Sequence, residues 1–150
     1  MAATALPRET TMKTLVTGTA GSIGSHAAKR LPGCGEDVIG VDNMSDYYDV
    51  TLKEARLAPF AASHGYVHVH AELADPNAVE EVSATRKPQR VVKLTAHAGV
   101  RYANTNRHLY VSKNVTKFLH VLKLCRHHDV KHLVFASTSS ADERETLHAK

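Results

Sequence analysis

The stretch Thr17-Gly-Thr-Ala-Gly-Ser-Ile-Gly24 spaces Gly18, Gly21 and Gly24 as G-x-x-G-x-x-G. A β-branched run, Thr14-Leu-Val-Thr17, stands directly before it, and helical spacing from Ser22 to Leu31 follows. A strand that turns into a helix through such glycines is built to meet a pyrophosphate. The first glycine makes the tight turn, the second lets backbone approach the phosphates, and the third lets helix pack against strand. The helix N-terminus then offers N–H groups and partial positive charge. The glycines gain weight from that strand–turn–helix context. Asp42 ends the run Val38-Ile-Gly-Val-Asp42, 18 residues past Gly24. A carboxylate at about this distance accepts hydrogen bonds from the adenosine ribose. Its charge repels a 2′-phosphate, which favours NAD over NADP. The plain alternatives are turn glycines and a surface aspartate.

The elements that must position these residues alternate along the chain. After the first strand and helix, Pro32-Gly33 is expected to end the helix, and Asp37–Val41 is the second strand. A helix is expected from Asp46 to Ala62, a strand over Tyr66–His70, and a helix over Pro76–Arg86 with Asp75 as its cap. Arg90–Leu94 is the fourth strand, Arg107–His128 a long helix, and Lys131–Ala136 the last strand. Strands alternating with helices of this length imply parallel crossovers. Apolar runs such as Leu133-Val-Phe135 fit strands covered on both faces. The fold class is therefore α/β, a Rossmann-type parallel sheet of about five strands with helices on both faces. In the long helix, Val111, Val115, Phe118, Leu122 and Cys125 form a stripe, with Val121 and Leu124 apolar off it. One side can face the sheet and the other a second copy, a possible homodimer through residues 107–128.

Composition narrows the function classes. The chain has 150 residues, 43% of them hydrophobic and 23% charged, which is the make-up of an ordinary globular domain. The formal charge of +4 is spread along the chain, and no reading motif for nucleic acid is present, so no nucleic-acid partner is expected. No apolar run reaches about 18 residues, so no membrane span is expected. Residues 1–11 read as a polar tail without the apolar core of a signal peptide. Two cysteines, Cys34 and Cys125, make no disulfide framework, and a cytoplasmic location is the default. The eleven histidines match no zinc spacing, and no metal site is expected.

The segment Met12–His26 resembles the opening of the extended short-chain dehydrogenase/reductase superfamily. More specifically, Val41-Asp-Asn-Met-Ser-Asp-Tyr-Tyr-Asp-Val-Thr-Leu-Lys-Glu-Ala-Arg-Leu57 resembles the UDP-glucuronate 4-epimerases. So do Ala98-Gly-Val-Arg-Tyr102, the following Asn106, His108, Tyr110 and Asn114, and Cys125–Ser140. The likeness covers Met12 to Ser140. It implies an NAD-binding domain over residues 12–140 and a divergent tail over 141–150. In the complete family, a tyrosinate removes the sugar 4-OH proton while C4 gives a hydride to NAD, and the 4-keto sugar turns over before the hydride returns. The resemblance implies that NAD is held by Gly18, Ala20, Gly21, Ser22, Ile23 and Gly24 of the loop. It adds Asp42 and Asn43 after the second strand, and Glu72 and Leu73 after the third. Thr95, Ala96 and Asn114 complete the cofactor set. Thr138 takes the place of the catalytic hydroxyl, with Arg101, Ser139 and Ser140 facing a UDP-sugar.

The departures matter as much. The family's Tyr-x-x-x-Lys occurs nowhere: the residues four past Tyr47, Tyr48, Tyr66, Tyr102 and Tyr110 are Thr51, Leu52, His70, Asn106 and Asn114. The substrate half that follows in the family is expected to be absent. Glu72 replaces an aspartate that reads adenine, which should weaken a contact worth about 0.5–1.5 kcal/mol. Thr95 replaces a small alanine at a packed contact, a change that can cost about 1–3 kcal/mol. Lys93 falls in a strand that should be buried, where its charge is expensive unless it snorkels or pairs. Arg107 and Lys117 replace a proline and a glycine. Three readings stay open: the N-terminal part of a UDP-sugar epimerase, a non-catalytic NAD-binding module, and a truncated or frame-shifted remnant. If the substrate half is missing, the fifth strand is an open edge and poor solubility or association is expected.

Overall fold

The computed structural model describes residues 11–96 and 107–137. Five strands form one parallel sheet in the order β3-β2-β1-β4-β5. They are β1 (Lys13–Thr17), β2 (Asp37–Asp42), β3 (Tyr66–His70), β4 (Arg90–Lys93) and β5 (His132–Phe135). The helices are α1 (Ser22–Arg30), α2 (Val50–Leu57), α3 (Pro76–Arg86), α4 (Arg107–Val111) and α5 (Lys117–His127), with a π turn over Ser112–Thr116 joining the last two. The chain steps outward from β1 through β2 to β3, then returns to the far side of β1 for β4. That reversal opens a crevice beyond the strand ends, where ligands bind in folds of this kind.

Two cores sandwich the sheet. Leu15, Ile39, Val41 and Val91 pack on one face with Val79 and Val82 of α3 and Val121 and Leu124 of α5. Val16 and Val38 pack on the other with Ala28 of α1, Leu57 of α2 and Phe60. Successive residues of β1 and β2 thus serve opposite layers, so both strands are apolar without alternating.

Local chemistry sets several boundaries. The α2 helix is half the span expected from residues 46–62. The Asp49 carboxylate accepts the Thr51 amide at 2.9 Å and starts the helix there. After Leu57 the chain continues in turns and leaves through Gly65 at φ 85°. Asp75 caps α3 as expected, accepting the Asn77 amide at 2.9 Å. The α1 helix ends at Arg30 with Leu31 as its C-cap, just before Pro32-Gly33, as expected. Proline fits the first turn of a 3-10 stretch over Leu31–Cys34, and Gly35 at φ 86° ends it. The long helix is interrupted by the π turn, and its core-facing residues are Lys117, Val121 and Leu124. Val111, Val115 and Leu122 of the expected stripe lie exposed, Val115 at 60%.

Lys93 is buried in β4, as its position in the sequence required. It resolves the cost by turning its ammonium back to the Thr95 carbonyl at 2.7 Å and lying 5.1 Å from the Phe118 ring. Burial, aided by the nearby Lys117 charge, holds its pKa below the usual lysine value.

One contact fixes how α1 meets the sheet. A Cβ placed on Gly24 would stand 1.9 Å from the Gly18 carbonyl oxygen. Backbone on both sides leaves no flexible group to yield. Gly24→Ala is expected to cost about 3 kcal/mol, the upper end for overpacking. Urea denaturation measures it, and a loss below about 0.5 kcal/mol would show that α1 can shift without penalty.

Candidate functional site

The site is built on the C-terminal ends of β1, β2, β3 and β4. Gly18 leaves β1 at φ 77°, a left-handed conformation suited to glycine. Its amide donates to the Val41 carbonyl at 2.7 Å, tying the turn to β2. The Gly21 amide returns to the Gly18 carbonyl at 2.9 Å, and Gly21 becomes the N-cap of α1. By helix geometry the amides of Ser22, Ile23 and Gly24 have no intrahelical acceptor. No acidic residue stands in the first turn of α1 to neutralise them. The loop is supported from below by Tyr66, whose hydroxyl donates to Thr19 Oγ1 at 3.4 Å.

Asp42 ends β2 beside this loop. Its Oδ2 accepts the Ala20 amide at 3.1 Å and its Oδ1 the Met44 amide at 2.9 Å. Each carboxylate oxygen can accept more than one hydrogen bond, so capacity for a ribose diol is kept. Lys53 of α2 lies 4.0 Å from Oδ1, with its ammonium donating to the Ser45 carbonyl at 2.7 Å.

The cleft between these parts has a volume of about 140 Å³. Drug-sized pockets usually reach about 300–1,000 Å³, so this cleft is too small to enclose a whole dinucleotide. Gly18, Gly21, Asp42, Asn43, Leu73, Thr95 and Ala96 line it together. Thr95 is pinned by its amide to Thr17 Oγ1 at 3.2 Å. Its own Oγ1 is buried with no hydrogen-bond partner among the described residues. An orphaned hydroxyl and a loop that glycine alone can form both fit a polar ligand such as the pyrophosphate of NAD.

Glu72 sits at the rim. Its Oε1 accepts the Lys117 ammonium at 2.6 Å and the Ala74 amide at 3.0 Å, and its Oε2 accepts Asn43 Nδ2 at 2.6 Å. Burial pushes the Glu72 carboxyl up, but Lys117, the Ala74 amide and Asn43 outweigh burial and hold it below the usual carboxylate range.

The other residues singled out by sequence fall differently. Ala20 is buried under the loop, Gly24 is used in packing, and Ser22 opens α1. The Ile23 side chain is 69% exposed, so any role there belongs to its amide. Asn114 stands in the π turn and does not line the cleft. Arg101, Thr138, Ser139 and Ser140 lie outside the described residues. Sequence reasoning missed Ser45, Lys53 and Lys113, and it treated Lys117 only as a departure; all four line the cleft. Lys53 stands four residues before buried Leu57, and Lys117 four before buried Val121. A lysine on the apolar face of a helix was the signal that could have found both. Among the described residues no three His, Cys, Asp or Glu side chains gather for a metal.

The Glu72 ion pair has a pH signature. Its folded pKa is lowered, so its stabilising effect is complete above the ordinary value of 4.5 and fades as pH falls below it. The melting-temperature gap between the natural chain and Glu72→Gln should be constant near neutral pH and shrink as pH falls below 4.5. A gap that stays constant down to pH 3 would deny the pair this role.

Comparisons with known proteins agree with this geometry. The model of the NAD dependent epimerase/dehydratase family matches residues 14–145. A probable UDP-glucuronate 4-epimerase of Rhizobium meliloti is 45% identical over 129 residues, 86% of this chain and 38% of that protein. A mutant UDP-glucuronic acid 4-epimerase of Bacillus cereus, solved with UDP-4-deoxy-4-fluoro-glucuronic acid and NAD, superposes with a TM-score of 0.75 at 27% identity. That match covers 86% of this chain and 41% of the other. The UDP-glucose 4-epimerase of Thermus thermophilus, solved with NAD, gives a TM-score of 0.72 at 31% identity over 85% of this chain and 38% of the other. The chain thus spans about two fifths of the length of the relatives it matches. With the glycine turn, the β2 carboxylate and the five parallel strands in place, the chain belongs to the NAD dependent epimerase/dehydratase family.

Proposed function

We propose that these 150 residues are the NAD-binding part of a UDP-sugar 4-epimerase, with UDP-glucuronate as the sugar nucleotide. The observation that carries this reading is the Gly18–Gly24 turn, which aims the first turn of α1 at a cleft that Asp42 also lines. When bound, NAD supplies a hydride acceptor and donor for reversible oxidation at the sugar C4. The chain's own part is to hold it. The Ser22 and Ile23 amides take the pyrophosphate, Asp42 takes the adenosine ribose, and Thr95 Oγ1 offers a donor nearby. The relatives named as UDP-glucuronate 4-epimerases support the choice of sugar nucleotide.

No Tyr-x-x-x-Lys stands in these 150 residues, so no residue here takes the proton of the sugar 4-OH. By themselves they bind the cofactor and do not turn over substrate. Arg101, Ser139 and Ser140 facing the sugar nucleotide, and Thr138 at its reacting oxygen, belong to this proposal, as do the boundaries 12–140 for the binding domain. So does a homodimer through the 107–128 helix. Exposed Leu109, Val111, Val115, Leu119 and Leu122 on that helix support it. Cys34 and Cys125 are free thiols, which accords with a reducing cytoplasm. No helix among the described residues is long and apolar enough to cross a membrane.

Titration calorimetry with NAD should show one saturable site, weakened about tenfold by Asp42→Ala. The same preparation given UDP-glucuronate and NAD should form no UDP-galacturonate. Absence of NAD binding would overturn the cofactor reading, and turnover would overturn the non-catalytic one.

A further inference from the structure

Of the lysines that line the cleft, two have their counter-charge or acceptor within the protein. Lys53 lies 4.0 Å from the Asp42 carboxylate and donates to the Ser45 carbonyl at 2.7 Å. Lys117 ends on Glu72 at 2.6 Å. Lys113 lines the same cleft, with Gly18, Gly21 and Thr95, and has no hydrogen-bond or ion-pair partner among the described residues.

Its place follows from the π turn. The Lys117 amide donates to the Ser112 carbonyl, five residues back, so the helix is one residue wider over Ser112–Thr116. Lys113 and Lys117 both line the cleft, while Val111 and Val115 lie exposed. Lys113 is partly buried, unlike the exposed Lys29 of α1. A cation held at a cleft wall without a counter-charge draws an anion into the cleft.

The identity of that anion rests on the cofactor reading given above. NAD carries a negative charge on each phosphate of its pyrophosphate and none elsewhere. The α1 N-terminus offers only about half an elementary charge against them. Lys53 and Lys117 are already offset by Asp42 and Glu72, and Asp42 itself repels the phosphates. Lys113 supplies the cation that this balance lacks, and its long flexible stem lets the ammonium follow the ligand. We propose that Lys113 is a cofactor-binding residue, whose ammonium closes on the pyrophosphate from the π turn while the α1 amides hold it from the glycine turn.

Titration calorimetry on the full chain compares NAD affinity in the natural protein, Lys113→Met and Lys113→Arg. The methionine variant should bind about tenfold more weakly. The arginine variant keeps the charge and should recover most of the loss. Added salt should weaken NAD binding to the natural chain more than to Lys113→Met, because the lost contact is between charges. A stem that only packs is replaced by methionine with neither effect. Amine labelling read by mass spectrometry needs no variant: NAD should block labelling of Lys113 and leave exposed Lys29 labelled as before. The proposal is overturned by unchanged affinity or salt dependence in Lys113→Met, by a loss that Lys113→Arg does not recover, or by equal labelling of Lys113 with and without NAD. Failure of the natural chain to bind NAD overturns the cofactor reading itself, and this proposal falls with it.

Discussion

The contact between Gly24 of α1 and the Gly18 carbonyl governs the rest of the site. Helix and turn approach so closely that a single methyl group would stand 1.9 Å from an oxygen. That approach sets the direction of α1. Its free amides face the strand ends because the helix begins four residues after a left-handed glycine, within reach of β2. The same approach brings Ala20 to Asp42, so the carboxylate is held by the turn as well as by its own strand. Phosphate-side and ribose-side chemistry are thus one rigid unit, joined through backbone rather than through long side chains.

Charge forms a second layer on this frame. Lys53, Lys113 and Lys117 line a cleft whose fixed carboxylates are Asp42 and, at the rim, Glu72. A helix N-terminus already favours an anion, and three ammonium groups add to it. Two of them are buried yet satisfied. Lys53 ends on the Ser45 carbonyl, and Lys117 on Glu72. Each thereby orders a loop that follows a strand, the one after β2 or the one after β3. The pairing of Glu72 with Lys117 also makes sense of two departures at once. The longer carboxylate side chain and the lysine in place of a glycine meet each other.

Much of the fold was legible because its signals are local and repeated. Five apolar runs separated by helical spacing give β1 to β5, and Asp75 before Pro76 marks the start of α3. The cradle was legible because Gly18, Gly21 and Gly24 each answer a separate steric demand. Boundaries were less so. Asp49 caps α2, so the helix starts at Val50, four residues later than the charge pattern from Asp46 implied. Pro32 marks the end of α1 as expected, but a 3-10 turn over Leu31–Cys34 carries the chain on to Gly35. The face of the long helix was obscured by the π turn over Ser112–Thr116, which inserts an extra residue into the helical repeat. Val111 and Val115 then point away from the sheet that Val121 and Leu124 cover. The lysines of the cleft were the hardest to read, because a lysine usually marks solvent, whereas Lys53 and Lys117 are buried against Ser45 and Glu72.

The central claim is that the turn from Gly18 to Gly24 receives the pyrophosphate of NAD. Amide chemical-shift mapping by NMR tests it most directly. Addition of NAD should move the amide resonances of Gly21, Ser22, Ile23 and Gly24 most, followed by those at Asp42 and Thr95. Shifts confined to other surfaces, or none at saturating NAD, would contradict it.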